Sequence, residues 1–132
     1  MGNMKIAFAW CSILFLIGIV AVESMAHGWM VPKEAAEIQN PIAGNEKSAA
    51  RGKETYLQNC AACHGDNIEG MNAQEVGLEM DTPNLKKRIK THSDGDFFWK
   101  IQEGKGDMPS FREDLPDDQI WDVINYIRQE AE

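Results

Sequence analysis

The chain has 132 residues and a formal net charge of −8 at pH 7, with 21 acidic residues against 13 basic ones. This length allows one domain with extensions. The acidic excess argues against nucleic acid and against an anionic membrane surface as partners. It suits a carrier that meets proteins with basic patches.

The first 26 residues have the pattern of an export segment. Lys5 supplies a positive charge, residues 6–22 form an apolar run, and Ser24-Met25-Ala26 offers small residues where a signal peptidase cuts. We therefore predict cleavage after Ala26. The apolar run also approaches the length that spans a bilayer, so an uncleaved membrane anchor through residues 6–22 is the alternative. Both interpretations predict a periplasmic domain, either free or tethered to the outer face of the inner membrane.

Residues 27–46 are predicted to be an extended leader. Pro32 and Pro41 interrupt regular structure there, and Gly44 marks a turn. The remaining residues, 47–132, are predicted to form one compact domain.

The first predicted helix runs from about residue 47 to residue 59, because small and apolar side chains recur on one face at steps of three and four. It leads directly into Cys60-Ala61-Ala62-Cys63-His64. Two cysteines separated by two residues and followed by histidine are typical of a c-type haem attachment site. Cys60 and Cys63 are thus predicted to bond to the haem vinyl groups, and His64 to be the proximal ligand of the iron.

Two other chemistries use closely spaced cysteine pairs. A structural zinc site needs four nitrogen or sulfur ligands, and only His64, His92 and His27 are available to join the two cysteines. A redox dithiol of the thioredoxin kind needs a βαβ setting, and no strand pattern lies near the motif. Haem attachment is therefore the favoured interpretation.

Downstream of the motif, residues 65–81 are predicted to be a loop. A second helix is predicted to start at Thr82 as N-cap, with proline at the first helical position. A third helix starts at Ser93 with a capping-box pattern and ends before Gly104. A fourth follows Pro116, with isoleucines along one edge. No alternating strand pattern appears, so the predicted fold class is all-α.

Three methionines downstream of the motif compete for the second axial position on the iron. Met108 lies between glycine and proline in Gly106-Asp107-Met108-Pro109, where the chain can approach a flat cofactor closely. Methionine is a known axial ligand that raises the haem potential. We predict Met108 as the distal ligand, and Met71 and Met80 as packing residues.

Together these features resemble the small monohaem class I cytochromes c of the bacterial periplasm, over about residues 48–132. The resemblance rests on these segments: Arg51-Gly52-Lys53-Glu54-Thr55-Tyr56, Cys60-Ala61-Ala62-Cys63-His64-Gly65, Thr82-Pro83-Asn84-Leu85, Met108-Pro109-Ser110-Phe111, Ile120-Trp121 and Tyr126-Ile127. It implies a compact four-helix fold wrapped around one covalently bound haem c, with His64 and Met108 as the iron ligands.

The resemblance also implies a close crossing of the first and last helices, where Gly52 and Tyr56 meet Tyr126. The chain departs from the family in two places. A proline replaces the usual serine or threonine cap of the last helix. The segment between His64 and Met108 is short, which predicts a more exposed haem edge than in the longer mitochondrial-type members.

Several other side chains are interpreted as packing or solvent-exposed residues. Trp99, Trp121 and Tyr126 are assigned to helix packing and not to haem contacts. His92 is predicted to be an exposed loop histidine and not an alternative ligand. The basic residues of the second helix are predicted to be a solvated face, not propionate contacts or a docking patch: Lys86, Lys87, Arg88 and Lys90.

The implied function is one-electron transfer in a respiratory or related chain, with the iron cycling between Fe(II) and Fe(III). The protein is then no enzyme, and its partners are redox proteins that it meets as a monomer or as a subunit of a redox complex. One alternative is a haem-bearing subunit of a membrane oxidoreductase, tethered by residues 6–22. The other is a five-coordinate haem sensor or peroxidase-like protein, which would require the loss of methionine ligation.

Overall fold

The computed structural model describes residues 28–132, so the predicted export segment and cleavage site lie outside the described residues. Within this part the chain is helical and contains no sheet, which confirms the all-α prediction. Its helices are α1 (Lys33–Ala36), α2 (Glu46–Asn59), α3 (Ala61–His64), α4 (Ala73–Val76), α5 (Leu85–Arg88), α6 (Asp94–Glu103) and α7 (Asp117–Glu130). None of these described helices is long and apolar enough to cross a membrane.

The two 14-residue helices, α2 and α7, cross at Gly52. A Cβ atom at Gly52 would fall onto the backbone carbonyl of Asp122 and lie 2.8 Å from the backbone nitrogen of Val123. One turn further on, the rings of Tyr56 and Tyr126 are 5.4 Å apart between centroids. The predicted crossing of the first and last helices is therefore confirmed, and glycine is required because the backbones touch.

A buried polar cluster lies beside this crossing. The hydroxyl of Ser48 donates to Oδ1 of Asp122 at 2.5 Å, and Nε of Arg51 donates to Oδ2 at 2.8 Å. The amide of Asn125 donates to the Ser48 hydroxyl at 2.8 Å. Because each buried group has a partner, the cluster fixes the crossing without a large desolvation penalty.

The caps of α6 and the start of α7 lie where the sequence predicts them. The hydroxyl of Ser93 accepts a hydrogen bond from the Asp96 backbone nitrogen at 3.1 Å, and the helix ends before Gly104, as predicted. The last helix begins directly after Pro116, which occupies the cap position without a side-chain hydrogen bond.

The second predicted helix begins later than expected. Asn84 is the N-cap of α5, and its side chain accepts from the Lys87 backbone nitrogen at 2.9 Å. The hydroxyl of Thr82 instead donates to the Cys63 carbonyl at 2.7 Å and accepts from the Met71 backbone nitrogen at 2.7 Å. Thr82 thus holds the loop against the cysteine motif and is not free to cap. The predicted loop also contains one helical turn, α4.

Residues 28–45, which we call the strap, precede the domain and lie on its surface. The strap contains the single turn α1, which packs against α6. Further along, the carbonyl of Ile42 accepts a hydrogen bond from the side chain of Asn125 in α7 at 2.8 Å.

Candidate haem-binding cleft

A cleft of ≈ 200 Å³ opens where α2, α3, α5, α6 and the loop before α7 meet. Cys60, His64 and Met108, three of the four predicted site residues, line it. Most of the remaining wall is aliphatic or aromatic and includes these side chains: Tyr56, Leu85, Phe97, Ile101, Val123 and Ile127. Cys63 is half-buried next to the cleft but is not among its lining residues.

The cysteine motif folds as a single helical turn. Cys60 ends α2 and caps α3, and the backbone nitrogen of His64 donates to the Cys60 carbonyl at 2.9 Å. Gly65 then leaves the helix with a φ of +79°, a conformation that favours glycine. The hydroxyl of Tyr56 donates to the Gly65 carbonyl at 2.8 Å. These bonds hold the His64 imidazole at the cleft.

Burial favours the neutral form of the His64 imidazole. Desolvation lowers its pKa, and the backbone carbonyl of Pro83 opposes this shift in part. Nδ1 of His64 is buried and has no hydrogen-bond partner of normal geometry. A neutral imidazole is the form that binds metals.

The Cys60 thiol does not have the character of a redox-active cysteine. Burial, together with the neighbouring Cys63, raises the pKa of the Cys60 thiol to about 12. Redox-active dithiols instead have lowered pKa values, because the thiolate is the reactive form. A zinc site is also unsupported, since residues 28–132 contain no group of three or more metal-binding His, Cys, Asp or Glu side chains.

Met108 reaches the cleft from a tight turn between α6 and α7. Its backbone exchanges hydrogen bonds with Lys105, at 2.8 and 3.1 Å. Gly104 lets the two arms of the turn touch, since a Cβ there would lie 2.5 Å from the Ser110 backbone nitrogen. Met80 is 76% exposed, and Met71 is half-buried outside the cleft lining. The structure therefore brings Met108 to the cleft and not the two competitors.

Several cleft residues were missed or misjudged from the sequence. His92 is half-buried and lines the cleft, which differs from the prediction of an exposed loop histidine, whereas Arg88 lines the cleft but is exposed as predicted. Nδ1 of His92 lies 3.0 Å from the Arg88 carbonyl, just before α6 begins. Lys100 and Trp29 also line the cleft, and Trp29 comes from the strap. No local pattern marks these residues, because only the tertiary fold places them together.

The aromatic residues assigned to packing stay outside the cleft lining. Trp121 stacks on Phe98 with ring centroids 4.0 Å apart and planes 13° apart. Tyr126 pairs with Tyr56 at the helix crossing. Trp99 is half-buried.

The cleft fits a c-type haem on chemical grounds. Its walls are apolar, as a macrocycle requires, and a buried imidazole without a strong hydrogen bond lines it. A thiol and a thioether, from Cys60 and Met108, line the same space. The cationic side chains of Arg88 and Lys100 are suited to the two carboxylates that a haem carries.

Comparison with known proteins decides the family. Residues 47–127 match the family model described as cytochrome c oxidase, cbb3-type, subunit III. The chain belongs to the cytochrome c family. It is 36% identical over 87 residues to cytochrome c6 of Leptolyngbya boryana, covering 64% of this chain and 94% of that protein. It is 30% identical over 121 residues to cytochrome c6 of Gloeothece citriformis, covering 86% and 90%. Cytochrome c-551 of Bacillus subtilis is 36% identical over 67 residues, covering 48% and 49%.

Membership of the cytochrome c family confirms the predicted cofactor and the predicted class of function. This cytochrome c carries covalently bound haem c. It is an electron-transfer protein and not an enzyme. The fold, an all-α domain after an N-terminal extension, agrees with that assignment.

Proposed function

We propose that Cys60 and Cys63 attach the haem and that His64 and Met108 are the two axial ligands of its iron. The observation that carries this proposal is the meeting of the cysteine motif and Met108, which are remote in sequence, on one apolar cleft. When bound, the haem supplies one-electron chemistry, its iron alternating between Fe(II) and Fe(III). The protein's own residues hold that group and exclude water from it.

Each side chain has a defined task in this proposal. The thiols of Cys60 and Cys63 would add across the two vinyl groups of the haem, each S–H hydrogen passing to a vinyl carbon, and the resulting thioether bonds would keep the cofactor from leaving. The neutral imidazole of His64 donates its lone pair to the iron. The thioether of Met108 is a soft ligand that favours Fe(II) and so raises the potential. The apolar walls act in the same direction, because they disfavour the additional charge of the oxidised state.

We further propose that this cytochrome c works in the periplasm, in a respiratory or related electron-transfer chain. The export pattern of residues 1–26 supports this location. Loss of Lys5 and Glu23 with that segment would leave the net charge at −8. Such a charge favours redox partners that carry basic patches.

A second candidate function is that of a haem-bearing subunit in a membrane oxidoreductase. The description of the matching family, a subunit of a cbb3-type oxidase, favours it. It requires that residues 6–22 be retained as an anchor. N-terminal sequencing of the exported protein separates the two: a sequence beginning at His27 supports the free carrier, and an uncleaved N-terminus supports the subunit.

The distal ligand is tested by replacing methionines one at a time. Met108→Ala should abolish the weak absorption band at the red end of the ferric spectrum, which arises from thioether ligation. It should also let the ferrous protein bind carbon monoxide and should lower the potential, because the soft ligand is lost. Met71→Ala and Met80→Ala are the matched controls and should leave all three properties as in the parent.

Two results would contradict the proposal. If one of the control variants loses the band while Met108→Ala keeps it, the ligand is assigned to the wrong methionine. If the unmutated ferrous protein already binds carbon monoxide readily, the sixth position is open, and a sensor or peroxidase-like function replaces electron transfer.

A further inference from the structure

The middle of the strap packs directly against α6. A Cβ atom at Gly95 would fall onto the carbonyl of Ala35 and lie 2.7 Å from that of Ile38. The hydroxyl of Ser93 donates to the Ala36 carbonyl at 2.6 Å. Gly95 is therefore a glycine because the strap backbone occupies the space of a side chain.

Hydrogen bonds around Asn40 hold the C-terminal end of the strap on the domain, and we call them the anchor. Both protons of the Asn40 amide are donated, one to Oδ2 of Asp94 and one to Oδ1 of Asn125, each at 2.9 Å. Asn125 in turn donates to the carbonyl of Ile42 at 2.8 Å. The strap is therefore fixed on the domain at two points, the anchor at Asn40 and the close contact with Gly95 of α6.

The other end of the strap reaches the cleft. Gly28 and Trp29 are lining residues, and the ammonium of Lys105 donates to the carbonyl of Gly28. Nζ of Lys100 lies 5.9 Å from the centroid of the Trp29 ring, within range of a cation–π contact. Lys100 is itself fixed by an ion pair with Asp96 at 2.6 Å. The Trp29 ring thus contacts α6 through Lys100, and its neighbour Gly28 is bonded to the turn that carries Met108.

We propose that Trp29 is a haem-contacting residue which closes the outer side of the cleft next to Lys100. The inference rests on the proposed function, because the cleft must hold haem for the contact to exist. An indole offers a large flat apolar surface, and shielding a haem from water raises its potential. The strap lies outside residues 47–127, which match the family. It covers the haem edge that the short segment between His64 and Met108 would otherwise leave exposed.

The test uses the full, haem-loaded chain and compares Trp29→Ala and Trp29→Phe with Met30→Ala. Met30 is the matched control, because it neighbours Trp29 but is 69% exposed and outside the cleft lining. Trp29→Ala should lower the potential and speed the displacement of the methionine ligand by added imidazole several-fold. Trp29→Phe should give intermediate values, and Met30→Ala should match the parent.

Two further measurements distinguish a direct contact between Trp29 and the haem from a general loosening of the protein. In the ferrous protein, the haem ring current should shift the indole proton resonances of Trp29, identified by their loss in Trp29→Phe. Gly95→Ala keeps the indole but places a methyl group where the strap backbone packs against α6. It should therefore displace the strap and reproduce the effects of Trp29→Ala.

Two outcomes would contradict this inference and leave the proposed function unaffected. Trp29 resonances at ordinary positions, or a Trp29→Ala protein with the potential and displacement rate of the parent, would exclude the contact while haem and methionine ligation remain intact. A parent chain that fails to bind haem covalently would instead overturn the proposed function and this inference with it.

Discussion

The two sides of the haem cleft are built in different ways. On one side, Cys60 and His64 line the cleft and Cys63 lies beside it; all three fall within five consecutive residues, and one helical turn places them. On the other side, Met108 and Trp29 come from distant parts of the chain, one from the turn before α7 and one from the strap. We call these the motif side and the assembled side.

The difference shows which interactions position a cofactor ligand. On the motif side, the His64 backbone bonds to Cys60 at 2.9 Å, a contact that the helical conformation alone provides. On the assembled side, the turn that carries Met108 depends on α6, since the Ser110 hydroxyl donates to the Gln102 carbonyl at 2.5 Å. The motif side is thus formed mainly by local contacts, with one further hydrogen bond from Thr82 to the Cys63 carbonyl, whereas the assembled side exists only after the helices have packed.

The largest expected effect comes from the motif side. Replacing both Cys60 and Cys63 by serine removes the two thiols that we propose form bonds to the haem, so covalent attachment should be lost completely. The measurement is haem-linked peroxidase staining of the denatured protein on a gel, which the parent should retain.

Cys11→Ser is the control for this experiment, because Cys11 lies in the apolar N-terminal run and outside the predicted domain. It should stain like the parent. Staining that survives in the double variant would mean that other residues attach the cofactor.

The same division explains what the sequence could predict. Local patterns and a family resemblance predict the helix crossing at Gly52 and single out the cysteine motif and Met108, which the structure brings to one cleft. They do not predict the strap contacts, because Trp29 lies in a proline-containing leader without helical periodicity. Thr82 is predicted to be a helix cap, but its hydroxyl is hydrogen-bonded to the backbone of Cys63 and Met71 instead. The sequence alone does not show this, because only the folded loop brings these groups together.

A smaller effect is expected at the crossing of α2 and α7, which supports the motif side. Gly52→Val places a branched side chain against the backbone of Asp122, so the helices must separate. We expect the free energy of unfolding to fall by about 1–3 kcal/mol or more, as for other overpacked sites. Thermal and urea unfolding of the haem-loaded protein measure this.

Ala50→Val is the matched control for the crossing, because Ala50 is exposed on the same helix. It tests the helix propensity of valine without a clash and should cost only about 0.5 kcal/mol. If the two variants unfold alike, the helices do not meet at Gly52.

The smallest effect is expected on the assembled side, at the anchor of the strap. Asn40→Ala removes the hydrogen bonds to Asp94 and Asn125, at a cost of about 1–2 kcal/mol. Asp94 keeps its ion pair with Arg128 at 2.7 Å, so the loss should stay local. Amide hydrogen exchange should therefore speed up in the strap and remain unchanged in α2 and α3.

Gln39→Ala is the neighbouring control, since the Gln39 side chain bonds only locally, to the Glu37 carbonyl, on an exposed surface. It should leave exchange in the strap close to that of the parent. Haem should remain attached in both variants, because the proposed bonds to Cys60 and Cys63 do not involve the strap. If Asn40→Ala instead prevents haem attachment, the two sides of the cleft form one cooperative unit, and the division between them does not hold.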